Sequence, residues 1–150
     1  MEVNAFWERF LLHSGLPETT ECVDTFSFGM TEALANELLR LVLIGQKHAT
    51  SSSFLGYAID GDRVPQVGDL SIVTDWDGEP HCVIKTTGVR ILPYREITFD
   101  LAKLEGEDDT LESWQKGHTA FFKAEGAELG YEFTEDMPVV FEEFEVIYQR

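Results

Sequence analysis

The sequence predicts an α+β fold, a small curved sheet or open β-barrel with helices packed around it. Three observations carry that expectation. The apolar period is helical through the first part of the chain, as in Leu34, Leu38, Leu41 and Val42. Beyond about residue 64 it turns to alternation, with a hairpin signal at Asp77-Gly78 between two strand-like runs. A length of 150 residues, with no repeat, no low-complexity tract and no linker, fits one domain, 1–150, large enough to bury a core.

The elements follow in order. Asn4 is placed to cap a first helix in which Phe6, Trp7, Phe10 and Leu11 recur on one side, and Ser14-Gly15-Leu16-Pro17 ends it. Phe26 and Phe28 alternate as in a short extended piece. Thr31 caps a second helix with Glu32 in its first turn and Arg40 near its end, the charge placement that the helix dipole favours. Gly45 suits the left-handed position just past that helix. Leu70 to Thr74 reads as a strand and His81 to Ile91 as its return, with Val83, Lys85, Val89 and Ile91 on one face and Ile84 and Arg90 on the other; Pro93 breaks it. A short helical piece at 99–104 leads to Glu105-Gly106 and the acidic loop Glu107-Asp108-Asp109. A third substantial helix, 111–125, stripes Leu111, Trp114, His118, Phe121 and Phe122, and Gly126 closes it. Residues 139–148 form a last strand, with Val140, Phe144, Val146 and Tyr148 on one face.

Charge narrows the partners. Lys and Arg number 11 against 28 Asp and Glu, a formal net charge of -17. Phosphate binding draws affinity from counterions released by basic side chains, so duplex DNA or RNA is a poor partner for this surface. No apolar run approaches a membrane span, and the first residues lack the basic and apolar regions of a signal peptide, so the expected location is cytoplasmic, with no membrane partner. Cys22 and Cys82 show neither ligand nor redox spacing. His13, His48, His81 and His118 are scattered without the spacing that pairs imidazoles on one helical face, so no metal is expected. Phosphate-binding glycine loops are absent and no other cofactor is expected. His118, on an apolar stripe, reads as a hydrogen-bonded core histidine.

The stretch Gly45-Gln46-Lys47-His48-Ala49-Thr50-Ser51-Ser52-Ser53 places a lysine three residues before four successive hydroxyls. A hydroxyl is a poor nucleophile until a base takes its proton, and a desolvated lysine is one such base. From composition alone such a run is a loop. Among the carboxylates Glu105 stands apart, held between an apolar helical turn and Gly106 at a tight bend.

In order along the chain, Gly45 to Thr50 with its serines, Val67-Gly68-Asp69, Ala102-Lys103-Leu104-Glu105-Gly106, Trp114 to His118 running into Phe121-Phe122, and Pro138-Val139-Val140 form a set that resembles the ASCH family of the PUA-like superfamily. The resemblance covers roughly residues 26–148; residues 1–25 add an N-terminal helical extension. It implies a PUA-like β-barrel with flanking helices and a cleft associated with nucleosides or single-stranded RNA. Some members of the family are amidohydrolases that remove an acyl group from the exocyclic amine of cytidine. Carried over by motif, their catalytic set becomes Lys47, Thr50 and Glu105: Thr50 attacks the amide carbonyl, Lys47 takes its proton, and Glu105 assists proton transfer to the leaving amine. Ser51 and Ser52 are candidate oxyanion donors, and Tyr57 and Arg90 candidate cleft residues. Other members bind or cleave RNA, for which Lys85, Arg90, Arg95 and Trp76 are the candidate contacts; a non-catalytic ligand sensor is the third alternative. The catalytic scheme carries a geometric condition. Residues three apart on a regular strand face opposite ways, so the chain must turn between Lys47 and Thr50.

Overall fold

The computed structural model describes residues 1–150. Its elements run α1 (Val3–Ser14), β1 (Asp24–Phe26), α2 (Glu32–Leu43), β2 (Ala49–Ser53), α3 (Phe54–Asp60), β3 (Leu70–Thr74), β4 (Pro80–Pro93), α4 (Phe99–Ala102), α5 (Leu111–Leu129) and β5 (Pro138–Gln149). Short 3-10 turns at Tyr94–Glu96 and Lys103–Glu105 flank α4. The five strands form one strongly curled half-barrel in the order β1-β3-β4-β5-β2, and the helices pack around it. The α+β class expected from the sequence is the one found. Only β1 on β3 is a parallel pair; β3–β4, β4–β5 and β5–β2 are antiparallel.

Both faces of the sheet are covered, which removes the simple alternation that the sequence suggested. On one face Phe6, Phe10 and Leu11 of α1 bury Ile72 and Val83, and the ring of Tyr148 lies 5.5 Å from Phe6 and 5.7 Å from Phe10. On the other, Leu38, Leu39, Leu41 and Val42 of α2 cluster with Val73, Cys82, Ile84 and Phe144. With both faces covered, β4 buries Cys82, Val83 and Ile84 in succession, and its register with β5 is irregular at Val83/Ile84 and Thr86/Gly88. Ile91, which alternation puts on a face with Val83 and Val89, is 52% exposed. A third cluster joins Trp114 and Phe122 of α5 to Tyr94, Ile97, Met137 and Val139. Each such large apolar side chain contributes about 1.5–3 kcal/mol on burial.

Element boundaries follow local chemistry, with four differences from expectation. α1 starts at Val3 after Glu2, so Asn4 lies inside the helix instead of capping it. The hydroxyl run expected as a loop is strand β2, because Ala49 to Ser53 pair with Glu143 to Val139 of β5. Ser53 then caps α3 by accepting from Gly56 N, a helix the apolar pattern did not announce. α5 continues past Gly126 to Leu129 and ends at Gly130, whose φ is 97°. Gly126 serves a packing need: a Cβ there would lie 2.4 Å from Tyr131 O. Thr31 and Thr110 cap α2 and α5 through Leu34 N and Ser113 N.

Candidate active site

The site begins with two bends pressed together. Gly106, at φ 74°, ends the 3-10 turn that carries Glu105, and a Cβ on it would fall 2.3 Å from Gln46 O. The side chain of Gln46 donates to Gly106 O at 2.7 Å, and His48 N donates to Leu104 O at 3.0 Å. The lead-in to β2 is thus docked along the Glu105 turn. Strand β2 starts at Ala49, but His48 O already accepts from Phe144 N at 3.0 Å, so Lys47 lies on the irregular lead-in just ahead of the strand and no turn separates it from Thr50.

Lys47 and Glu105 are 2% and 1% exposed, a depth at which a charge must be paired. Lys47 Nζ stands 3.7 Å from Glu105 Oε1 and donates to Glu107 Oε2 at 2.7 Å and Ala49 O at 2.9 Å. It also lies 5.2 Å from the ring centre of Phe28. Glu105 Oε2 accepts from Ser51 Oγ at 2.8 Å and from Trp114 Nε1 at 2.7 Å. Glu105 Oε1 faces His118 Nε2 at 3.2 Å. His118 stacks on Trp114 with ring centres 4.0 Å apart, and its Nδ1 lies 2.9 Å from Trp114 O. Burial by itself would raise the Glu105 pKa. The hydrogen bond and charge of His118, the charge of Lys47 and the Trp114 N–H outweigh burial and hold the carboxyl below its ordinary value.

A cavity of about 570 Å³ opens on the other side of β2. The sheet face that α2 covers at one end carries Ser71, Thr86 and Glu142 at the other, in step with Val73, Ile84 and Phe144. Thr50, Ser51, Ser52 and Tyr57 complete that wall, with Phe26, Phe28 and Phe121 as its aromatic portion. Thr86 Oγ1 donates to Glu142 Oε2 at 2.7 Å. Burial, then the neighbouring Asp69 and Asp24, raise the Glu142 pKa despite that bond. Burial likewise raises the Tyr57 hydroxyl.

The residues singled out from the sequence therefore fall into two groups. Lys47, Ser51 and Glu105 converge in the buried cluster, whereas Thr50, Ser51, Ser52 and Tyr57 line the cavity. Ser51 belongs to both. Lys47 Nζ makes no hydrogen bond to Thr50; the hydroxyl in contact with Glu105 is that of Ser51. Arg90 is exposed on β4 and lies outside the cavity lining, whose one cation is Arg63. Of the residues considered for RNA, Trp76 sits in the β3–β4 turn, and Arg90 and Arg95 lie toward the opposite end of β4, where Arg95 pairs with Asp136. Sequence reasoning missed Glu107, Trp114 and Glu142 as site residues and gave His118 only a core role. The spacing of Trp114 and His118, one helical turn apart, was the available signal.

A curled α+β sheet with a buried lysine–glutamate pair behind a hydroxyl-lined cavity defines a PUA-like domain with a polar cleft. Residues 24–148 match the family model described as ASCH domain, and the chain belongs to that family. It is similar to the ASCH domain from Lactobacillus crispatus JV V101, at 38% identity and TM-score 0.86, covering 97% of this chain and 94% of that one. It is similar also to protein EF3133 from Enterococcus faecalis V583, at 34% identity and TM-score 0.89, covering 97% of this chain and 87% of the other. Hypothetical protein PH0355, at 19% identity, TM-score 0.51 and 83% of this chain against 97% of its own, shares the fold alone. Among curated proteins none matches. No helix is long and apolar enough to cross a membrane.

Proposed function

We propose that this ASCH domain is a small amidohydrolase that removes the acyl group from N-acylated cytidine-type nucleosides. The observation that carries the reading is strand β2, which lines the cavity at Thr50, Ser51 and Ser52 and turns the Ser51 hydroxyl onto the buried Glu105 beside Lys47. A cavity open to ligand is thereby coupled to a desolvated proton-handling pair. In the reaction a β2 hydroxyl oxygen attacks the acyl carbonyl carbon, and its proton passes to the carboxylate of the Lys47–Glu105 pair, which Ser51 already contacts. As the C–N bond breaks, that proton is returned to the departing exocyclic amine. Water then hydrolyses the ester left on the enzyme. The resemblance to known members gives the attack to Thr50, proton abstraction to Lys47 and proton delivery to Glu105; Ser52 and Tyr57 line the space for substrate.

The lining favours a nucleoside over a phosphorylated chain. Asp24, Asp62, Asp69, Glu125 and Glu142 stand against Arg63, which is itself paired with Asp69 at 3.0 Å. A phosphate entering that field meets net repulsion, whereas an uncharged base and ribose do not. The cytoplasm, where such nucleosides would be met, is the compartment proposed for the protein.

The test is deacylation of N4-acetylcytidine followed by chromatography, with Lys47→Ala, Thr50→Ala, Ser51→Ala and Glu105→Gln beside the parent. The expected loss for removing a proton-transfer group is about 10²–10⁴-fold in kcat. Parent turnover no faster than that of Lys47→Ala overturns the reading. Activity retained by Thr50→Ala and lost by Ser51→Ala transfers the nucleophile to the hydroxyl that touches Glu105.

A further inference from the structure

The reaction above has no use for His118, whose two ring nitrogens both point at acceptors. Nδ1 lies 2.9 Å from the backbone oxygen of Trp114, which has no proton to give. Nε2 lies 3.2 Å from Glu105 Oε1. A neutral imidazole carries one N–H and would leave one of these contacts as two lone pairs facing each other. The other escape, a proton on Glu105, is closed by the surroundings of that carboxyl: Oε1 also faces Lys47 Nζ at 3.7 Å, and Oε2 receives the Ser51 and Trp114 donors.

We infer that His118 stands in the folded protein as an imidazolium that holds Glu105 as a carboxylate in register with Ser51, so that losing this one proton disarms the centre. His118 is thus a positioning residue, acting through Glu105. The charged groups that face it are Glu105 on the 3-10 turn, Glu107 just beyond it and Lys47 ahead of β2, so two carboxylates balance two cations in the cluster. From its own helix it meets the indole and carbonyl of Trp114 and the ring of Phe122. Its direction of shift agrees: burial would lower its pKa, but the hydrogen bond and charge of Glu105, the Trp114 carbonyl and Glu107 raise it. The His118 side chain keeps 15% of its exposure and that of Glu107 23%, against 1% for Lys47 and 2% for Glu105, so His118 and Glu107 are the cluster's contacts with solvent.

The consequence for turnover rests on the amidohydrolase reading; the protonation state does not. Imidazole nitrogen shifts of the parent protein, assigned through the backbone spectrum and followed from pH 5 to 9, test the state directly. Expected is a doubly protonated ring at pH 7, titrating above the ordinary histidine value of about 6.5. A ring with one bare nitrogen at pH 7 overturns the inference. In kinetics on N4-acetylcytidine, His118→Gln is expected to lower kcat by roughly 10- to 100-fold, the scale of one charge-assisted hydrogen bond, with KM within about twofold. The parent's alkaline limb should vanish in that variant, and a limb unchanged in position refutes the positioning role. If the parent shows no turnover, the proposed function falls and the nitrogen shifts alone decide the histidine.

Discussion

Replacing Glu105 with glutamine changes one charge and almost no volume at a residue that is 1% exposed. The carboxylate collects Ser51 Oγ and Trp114 Nε1 on one oxygen and His118 Nε2 on the other. Glutamine keeps one oxygen, so it can satisfy Ser51 and Trp114 while its amide N–H₂ confronts His118, or the reverse. Hydrogen bonds to a charged acceptor contribute about 1.5–3 kcal/mol each, and removing one partner of a buried ion pair costs about 3–5 kcal/mol. Lys47 still has Glu107 at 2.7 Å, and His118 can release its proton to accept from the new amide. Both adjustments bring the expected loss to the low end of that range, about 3 kcal/mol. With an urea m-value of about 1.5–2 kcal/mol per molar, the unfolding midpoint should fall by about 1.5–2 M at pH 7. A shift below about 0.5 M would refute the reasoning, because Glu105 would then be no more than a solvated surface carboxylate.

Acid and base should each weaken the fold through the same cluster. Glu105 is held below its ordinary pKa, so its contribution is present above about 4.3 and is lost as pH falls through its folded value. His118 is held above its ordinary pKa, so its contribution is complete below about 6.5 and is lost as pH rises through its folded value. Midpoint-against-pH curves should therefore fall on both sides of a plateau, and Glu105→Gln should flatten both flanks. Gly106→Ala forces a side chain into a left-handed residue and against Gln46 O at 2.3 Å, a backbone atom. Its cost should be at least about 2 kcal/mol, read as a loss of about 4–8 °C in Tm; an unchanged Tm would mean that the two bends are not docked. The Cys82 thiol is fully buried and pushed up to about 12 by burial, so iodoacetamide should label Cys22 and spare Cys82 in the native protein. Equal labelling of both would contradict the packing of β4 under α2.

What could be read from the sequence was whatever a single element states about itself. Thr31 with the leucine stripe behind it specifies α2 locally, and Asp77-Gly78 marks a hairpin whose turn Asp75 closes by accepting from Asp77 N and Glu79 N, so both elements were legible. Glu105 was legible as a carboxylate at a bend because Gly106 marks the bend. Strand β2 was not, since Ala-Thr-Ser-Ser-Ser has no apolar alternation of its own and becomes a strand only by pairing with β5. Nor could composition choose between the hydroxyls of Thr50 and Ser51 as the partner of Glu105. That choice depends on the face each takes once β5 has set the register. His118 shows the same limit: its charge comes from a carboxylate on another element, which periodicity along α5 cannot reveal.

The order of the strands also says when the site comes into being. β2 lies at the edge of the sheet, and its one strand partner is β5, which begins at Pro138 and ends one residue from the last in the chain. During synthesis, at about 5–20 residues per second, the segment bearing Lys47 and Thr50 emerges several seconds before the strand that orders it. Until then the hydroxyl run is an unpaired polar tract, and a chain interrupted before residue 138 has only the contacts of the Gln46–His48 lead-in to align Lys47 and Ser51 with Glu105. Completion of the sheet and assembly of the centre are one event. A product that stops short of β5 should therefore be poorly folded and lack the aligned Lys47–Ser51–Glu105 cluster.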